Sequence, residues 1–243
     1  MHHSLSLFTP AGFRPLEGPG ARARFLTRCD MRALLDLEHE KWQAYQAASR
    51  ADLRMRLEAH PDLAMGAFCT RTGRILASLF LKPVPDDFHR RAATWKDCVH
   101  MPAPRSTASL FGISLSSRDS SGVDALFRFF WPRALKSGWR HIYLGSPLPG
   151  LREWLQRHPH ARVGDYAHAR RGRLPLDPQM RYYHAHGFTD IVAVKPGYFP
   201  HERSLDHGVL LRGTVPLSSL APLWTALPLA AAQVVTRPLA ALL

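Results

Sequence analysis

The chain has 243 residues, 46% of them apolar, which suits one folded domain with a full hydrophobic core and argues against a chain disordered throughout. Lys and Arg number 32 against 19 Asp and Glu, a formal charge of +13, so the surface attracts anions: a nucleic acid, a nucleotide cofactor, an acidic protein or an anionic membrane. Cys29, Cys69 and Cys98 are odd in number and far apart, which suggests neither a disulfide framework nor a CxxC metal site and fits a reducing cytoplasm.

The opening MHHSLSLFTPAGF has no basic n-region and no long apolar run, so residues 1–22 read as an N-terminal extension and not as a signal peptide. ARFLTRC, residues 23–29, reads as a first strand. From Asp30, a plausible N-cap, MRALLDLEHEKWQAYQ repeats its apolar residues at helical spacing, and SRADLRMRLEAH gives a second helix. LAMGAFCTRTGRILASLFLKPV splits at Thr72-Gly73 into a hairpin. A Pro-rich polar connection leads to the strand ASLFGISLS and the helix GVDALFRFFWPRALKSG, where Pro132 should introduce a kink.

HIYLGS is a short buried strand, followed by an excursion with one short helix and a basic loop bearing His158, His160 and His168. Those histidines lack Cys or carboxylate companions at ligand spacing, so no metal is expected. Asp177-Pro178 starts the helix DPQMRYYHAHG, with Gly187 ending it, and FTDIVAVKP and DHGVLLRG supply two last strands. Residues 214–243 form an apolar tail interrupted by Pro216, Pro222 and Pro228, too broken to span a membrane and suited to packing on the domain, on a partner or in a homodimer. The order is βααβββαβαββ, which implies an α/β fold with a mixed, mostly antiparallel sheet and helices on both faces.

That order resembles the GCN5-related N-acetyltransferase (GNAT) superfamily, in which a strand, a Q/R-x-x-G-x-G/A turn and a helix bind the pyrophosphate of acetyl-CoA. The resemblance covers residues 23–213. The turn falls on Arg118-Asp119-Ser120-Ser121-Gly122-Val123, and LEHEKW with RLEAHP, SPLPGLREW, LDPQMRYYHAHGF and KPGYFPHERSLDHGVLL look like the subgroup found beside nitrilase domains and in polyketide synthase loading regions. The resemblance implies an acyl-CoA as co-substrate, held by Leu115, Ser116, Ser117, Arg118, Asp119, Ser120, Ser121, Gly122 and Val123.

Backbone N–H groups at a helix mouth, with the helix dipole behind them, stabilise phosphate oxygens. Ser121 and Val123 stand where the family has glycine; both keep their N–H but add a Cβ that could crowd the diphosphate. The alternative is a plain capped helix start with Ser120 or Ser121 as the cap.

Transfer of an acyl group to an amine, the first function implied, needs a donor for the departing thiolate. Tyr183, four residues before Gly187, matches the family's place for that donor, with His184 in reserve; Trp42 and Ser146 are the implied substrate contacts. Decarboxylation of a malonyl-type thioester, or loading of an acyl carrier protein, is the second function. The subgroup's His and Arg for that reaction correspond to Tyr183 and Phe199, with His184 displaced by one. A fold retained without catalysis is the third. The acceptor is a small amine or an acidic carrier protein; no nucleic-acid reading motif is visible.

Overall fold

The computed structural model describes residues 20–239, so the expected N-terminal extension lies almost wholly outside the described residues. The elements in chain order are β1 (Ala21–Phe25), α1 (Met31–Lys41), α2 (Arg50–Ala59), β2 (Ala64–Cys69), β3 (Ile75–Pro83), α3 (Phe88–Arg91), α4 (Trp95–His100), β4 (Ser109–Ser117), α5 (Ser120–Lys136) and β5 (His141–Pro147). They continue with α6 (Leu151–Arg157), α7 (Val163–His168), a two-residue pair β6 (Arg170–Arg171) and β7 (Leu174–Pro175), α8 (Pro178–Ala185), β8 (Asp190–Lys195), β9 (Gly208–Thr214), α9 (Ala221–Ala226) and α10 (Leu229–Leu239).

Seven strands form one sheet in the order β1-β2-β3-β4-β5-β9-β8. Every pairing is antiparallel except β4 with β5, where α5 supplies the crossover that parallel neighbours require. Side chains alternate across the sheet, so Phe80 and Phe111 join α1, α2 and α4 in one core while Leu79, Leu81 and Leu110 join α5 in another. A third core, on Val209 and Leu211, packs Leu151 of α6, Tyr166 of α7 and Met180 of α8. The mixed α/β architecture with helices on both faces is as the sequence predicts.

Several boundaries differ. The first strand begins at Ala21 and ends at Phe25, and the first helix stops at Lys41, short of the periodic run. Asp30 sits at the N-cap position of α1 but does not cap it: its carboxylate binds Arg24 and the Thr27 N–H and hydroxyl instead. The Pro-rich connection holds α3 and α4, and the excursion after β5 holds two helices and a small hairpin instead of one helix. α5 runs on through Pro132. The start and end of α8 are as expected, with Asp177 accepting from the Gln179 and Met180 N–H groups and Gly187 at φ +84°.

Of the tail, α9 and α10 lie on α5, with Trp224 and Ala232 buried in that core and the Trp131 indole donating to the Pro216 carbonyl. Among the described residues no helix is long and apolar enough to cross a membrane.

Candidate functional site

β4 and β5 are hydrogen-bonded only from Ser109–His141 to Gly112–Leu144. Beyond that point β4 continues to Ser117 on β3 and β5 continues to Pro147 on β9, so the two strands part and leave an open fork. A bulge marks the branch: Phe80 pairs with Ser114 and Leu81 with Gly112, leaving Ile113 without an opposite number. The carbonyl of Ile113 accepts the Trp95 indole N–H at 3.1 Å, which fixes α4 against the branch point.

On the face covered by α1 and α2 the fork is lined with polar side chains. Ser116 donates to Glu38 at 2.6 Å and accepts the Trp42 indole N–H at 2.8 Å. The other Glu38 oxygen accepts the Ala48 N–H at 3.2 Å, so both oxygens of this buried carboxylate are engaged. Arg56 of α2 donates to the Ser114 hydroxyl at 3.2 Å and lies 5.7 Å from the Phe80 ring and 6.0 Å from the Trp95 ring. Burial lowers the Arg56 pKa, with Glu38 and Asp52 opposing that shift.

Across the fork, Ser146 is fully buried on β5, its hydroxyl donating to the Pro147 carbonyl. Gly145 and Gly208 let the Tyr198 ring lie flat on two strands; a Cβ at either would stand 2.4 or 2.3 Å from that ring. Tyr198 is buried, and burial raises its phenol well above the usual value, with the neighbouring Cys98 thiol adding to the effect. Phe199 packs beside it at 5.2 Å between centroids.

At the mouth of α5, Asp119 is the N-cap, so neither Ser120 nor Ser121 fills that role. Its Oδ1 accepts from the Gly122 N–H at 3.0 Å and from the Ser121 hydroxyl at 2.6 Å, while its carbonyl accepts from Ser117. Gly122 faces away from the mouth, where an added Cβ would lie 2.9 Å from Leu76 Cβ and 3.1 Å from Ala77 Cβ. The glycine therefore seats the helix on β3. Val123 is 3% exposed, so its side chain enters the interior and does not crowd the mouth as its branching suggests from sequence.

Arg118 is also turned away. Its guanidinium donates to Glu40 at 2.7 Å and to the Ile75 carbonyl, tying the end of β4 to α1 and β3. Leu115 packs on the α5 core. The backbone N–H groups at Ser120 and Ser121 remain at an exposed helix end.

On α8 the two tyrosines diverge. Tyr183 packs on the third core beside Phe188, and burial raises its pKa against a hydrogen bond from Gln179. Tyr182 faces α5: its phenol is pushed up to about 12, chiefly by burial, with Tyr183 and Asp124 adding, and its ring stands 4.4 Å from His186. His186 in turn lies 6.0 Å from Phe127 of α5. His184 is half-buried, and its imidazole has no hydrogen bond or ion pair among the described residues.

Comparison with protein-family models finds no match, and neither does comparison with curated proteins. Solved structures do match. The GphF GNAT-like decarboxylase in complex with isobutyryl-CoA is 23% identical, aligns over 80% of this chain and 99% of its own, and has a TM-score of 0.66. The loading GNATL domain of CurA from Lyngbya majuscula is 17% identical over 80% and 98%, with a TM-score of 0.67. The chain has the GNAT fold. Malonyl-CoA decarboxylase from Rhodopseudomonas palustris shares it more distantly, at 14% identity over 83% of this chain and 58% of its own, with a TM-score of 0.54.

Within the GNAT fold the predicted residues fall into separate groups. Trp42 and Ser116 meet through a hydrogen bond on the α1 side of the fork; Ser117, Asp119, Ser121 and Gly122 form the cap of α5. Ser146, Tyr183 and His184 belong to the β5 and α8 side, and the Arg118 guanidinium joins none of the three, pairing with Glu40 instead. Sequence reading gave no site role to the Glu38 and Arg56 side chains. Both carry a legible signal: each occupies the apolar stripe of its helix, Glu38 after Leu34 and Leu37, Arg56 between Leu53 and Leu57.

Proposed function

We propose that this protein is an acyl-thioester enzyme that holds an acyl-CoA, or the phosphopantetheine of an acidic carrier protein, across the fork, and that it decarboxylates or loads the acyl group. The observation that carries the reading is the parting of β4 and β5 after Gly112 and Leu144. It frees main-chain groups of β4 to hold a thioester carbonyl, and α5 begins only three residues after β4 ends. Leu115 to Val123 would then contribute main-chain groups along the cofactor, with the Ser120 and Ser121 N–H groups nearest the diphosphate.

Decarboxylation requires no base to deprotonate an acceptor. The bond between the α-carbon and the carboxylate breaks, carbon dioxide leaves, and the electron pair enters the thioester as an enolate whose oxygen the β4 backbone can stabilise. A proton then returns to the α-carbon from the α8 side, where His184, Tyr182 and Tyr183 are the donors at hand. Glu38, the carboxylate beside β4, is tied to Ser116 and to the Ala48 N–H through its two oxygens. The similarity to a GNAT-like decarboxylase and to a loading domain points the same way.

Acyl transfer to an amine is the second reading, favoured by the two tyrosines whose raised pKa values keep them protonated and able to donate to a departing thiolate. Incubation with malonyl-CoA, and separately with acetyl-CoA and a panel of amines, followed by mass spectrometry of the products, tests both. Conversion of malonyl-CoA to acetyl-CoA with release of carbon dioxide is expected. An acylated amine supports the second reading instead; no product and no thermal stabilisation by any thioester refutes both.

A further inference from the structure

α5 has two ends, and only one of them opens on the fork. From Ser120 to Lys136 the helix rises about 24 Å at 1.5 Å per residue, so its last turns lie well away from the mouth. Gly138, at φ +75°, closes that far end: its N–H donates to the Leu135 carbonyl and the Trp139 N–H to that of Ala134, which turns the chain back and brings Trp139 beside the helix. Between these turns and the end of α2 lies a cavity of about 320 Å³, at the small end of the range that encloses organic ligands. Leu63, Phe130, Ala134 and Trp139 give it apolar walls, and His60, Arg133 and Ser137 line it with hydrogen-bond donors. Asp62 is the one acid among the lining residues, and it is exposed.

Arg133 is set in place in advance. Its guanidinium lies 3.6 Å from the centroid of the Phe129 ring and 5.6 Å from that of Phe25, and one N–H donates to the Phe129 carbonyl at 2.8 Å. That is its single hydrogen bond among the described residues, where it forms no ion pair, although a guanidinium carries five donors. Burial lowers its pKa, and no acid opposes the shift. The carbonyls at the end of α5 that would draw it, those of Arg133, Ala134 and Leu135, already accept from Ser137, Trp139 and Gly138. The His60 ring and the Trp139 indole make no hydrogen bond among the described residues either. Burial, with Lys82 adding, lowers the His60 pKa and keeps the imidazole neutral at pH 7.

We infer that this cavity is a second ligand site, separate from the fork, for a small organic carboxylate with an aromatic or short aliphatic body: the carboxylate meets Arg133 and the body packs against Phe130 and Trp139. A guanidinium stacked on a ring keeps its edge free and has little freedom left to lose, so a planar carboxylate pairs with it at low entropic cost. The apolar walls exclude a bare inorganic anion as the preferred occupant, because such an ion leaves them wet. Arg133 repels a cation.

Nitrogen–proton correlation spectra of the full chain, titrated with benzoate, 3-phenylpropanoate and hexanoate and with the amide of each, test the site. Saturable shifts are expected at residues 59–63 and 130–139, with at least one acid binding about tenfold or more tightly than its amide, as a charge-assisted pair predicts. Arg133→Met keeps most of the stem on Phe129 and loses the charge; it should erase the preference for the acid while leaving amide binding within about twofold. A merely structural role would weaken acid and amide alike. Should Arg133→Met fail to fold, the wild-type shift map and the ratio of acid to amide carry the test. Addition of CoA should leave the affinity for the acid unchanged.

No saturable shift with any of the three acids up to about 10 mM overturns the site, since that limit is weaker than the weakest specific binding expected of it. Equal affinities for acids and amides overturn it too, as do shifts centred on the fork or displacement of the acid by CoA.

Discussion

Replacing Asp119 with asparagine separates two effects that coincide at the mouth of α5. Asn and Asp are comparable N-caps, and the side-chain oxygen that accepts from the Gly122 N–H at 3.0 Å and the Ser121 hydroxyl at 2.6 Å is retained. The variant loses the favourable meeting of a negative charge with the helix N-terminus, about 0.3–1 kcal/mol at an exposed site. Against that, a diphosphate drawing on the same helix end must approach this carboxylate closely. At about 5 Å, one pair of unit charges repels by about 0.8 kcal/mol in bulk water and about 3 kcal/mol at an effective dielectric of 20.

Asp119→Asn should therefore bind CoA at least about fourfold more tightly at low ionic strength, the lower bound taken from the bulk-water figure. The gain should shrink as salt is raised towards about 0.5 M, where screening reaches within a few ångströms. Isothermal titration with CoA at two salt concentrations, beside a melting curve for each protein, measures both terms. Unchanged or weaker binding in a variant of near-wild-type Tm would show that the diphosphate does not use this helix end.

Three further outcomes follow from local packing and charge. Gly122→Ala brings a Cβ to 2.9 Å from Leu76 Cβ; the overpacking, about 1–3 kcal/mol, exceeds the roughly 1 kcal/mol of helix propensity gained. Tm should fall by a few degrees, and a rise would mean that α5 moves off β3 without cost. Gly145→Ala places a Cβ 2.4 Å from the Tyr198 ring, so it should displace the ring and lower Tm by at least as much; near-ultraviolet circular dichroism reads the loss of the fixed tyrosine, and an unchanged spectrum refutes the ring's placement. For Asp30, burial opposes ionisation, but the Arg24 contacts at 2.6 and 2.8 Å and the Thr27 donors outweigh it and hold the carboxyl below its usual range. A lowered carboxyl pKa stabilises the fold above the unfolded value near pH 4, and this contribution is lost as the pH falls through the folded value. Wild type should accordingly lose Tm more steeply than Asp30→Asn on acidification from pH 5 to about 2, and parallel slopes would remove Asp30 from that dependence.

The two mechanistic readings change rank between sequence and structure for a physical reason. ASLFGISLS has no acid, so a base for amine transfer had to be sought elsewhere. The fold brings Glu38 to β4 from α1, yet closes both of its oxygens with Ser116 and Ala48. An acid delivered to the fork in that condition serves the strand and the α1–α2 connection as a hydrogen-bond acceptor, whereas Arg56 makes a single hydrogen bond among the described residues.

The order of the main strands and helices, apart from the short elements in the two long connections, and the capped start and glycine end of α8 were determined by the sequence itself, because hydrophobic period, capping residues and left-handed glycines act over a few neighbouring positions. Where the Arg118, Val123 and Gly122 side chains point was decided only by the tertiary structure: the turn motif prescribes a backbone, but Glu40, the interior beneath α5 and the surface of β3 claim those side chains from 43 to 78 positions away. The Arg56–Ser114 and Glu38–Ser116 pairs join helices to a strand across 58 and 78 positions, a distance over which local spacing carries no information and only the packing of α1 and α2 on the parted strands does.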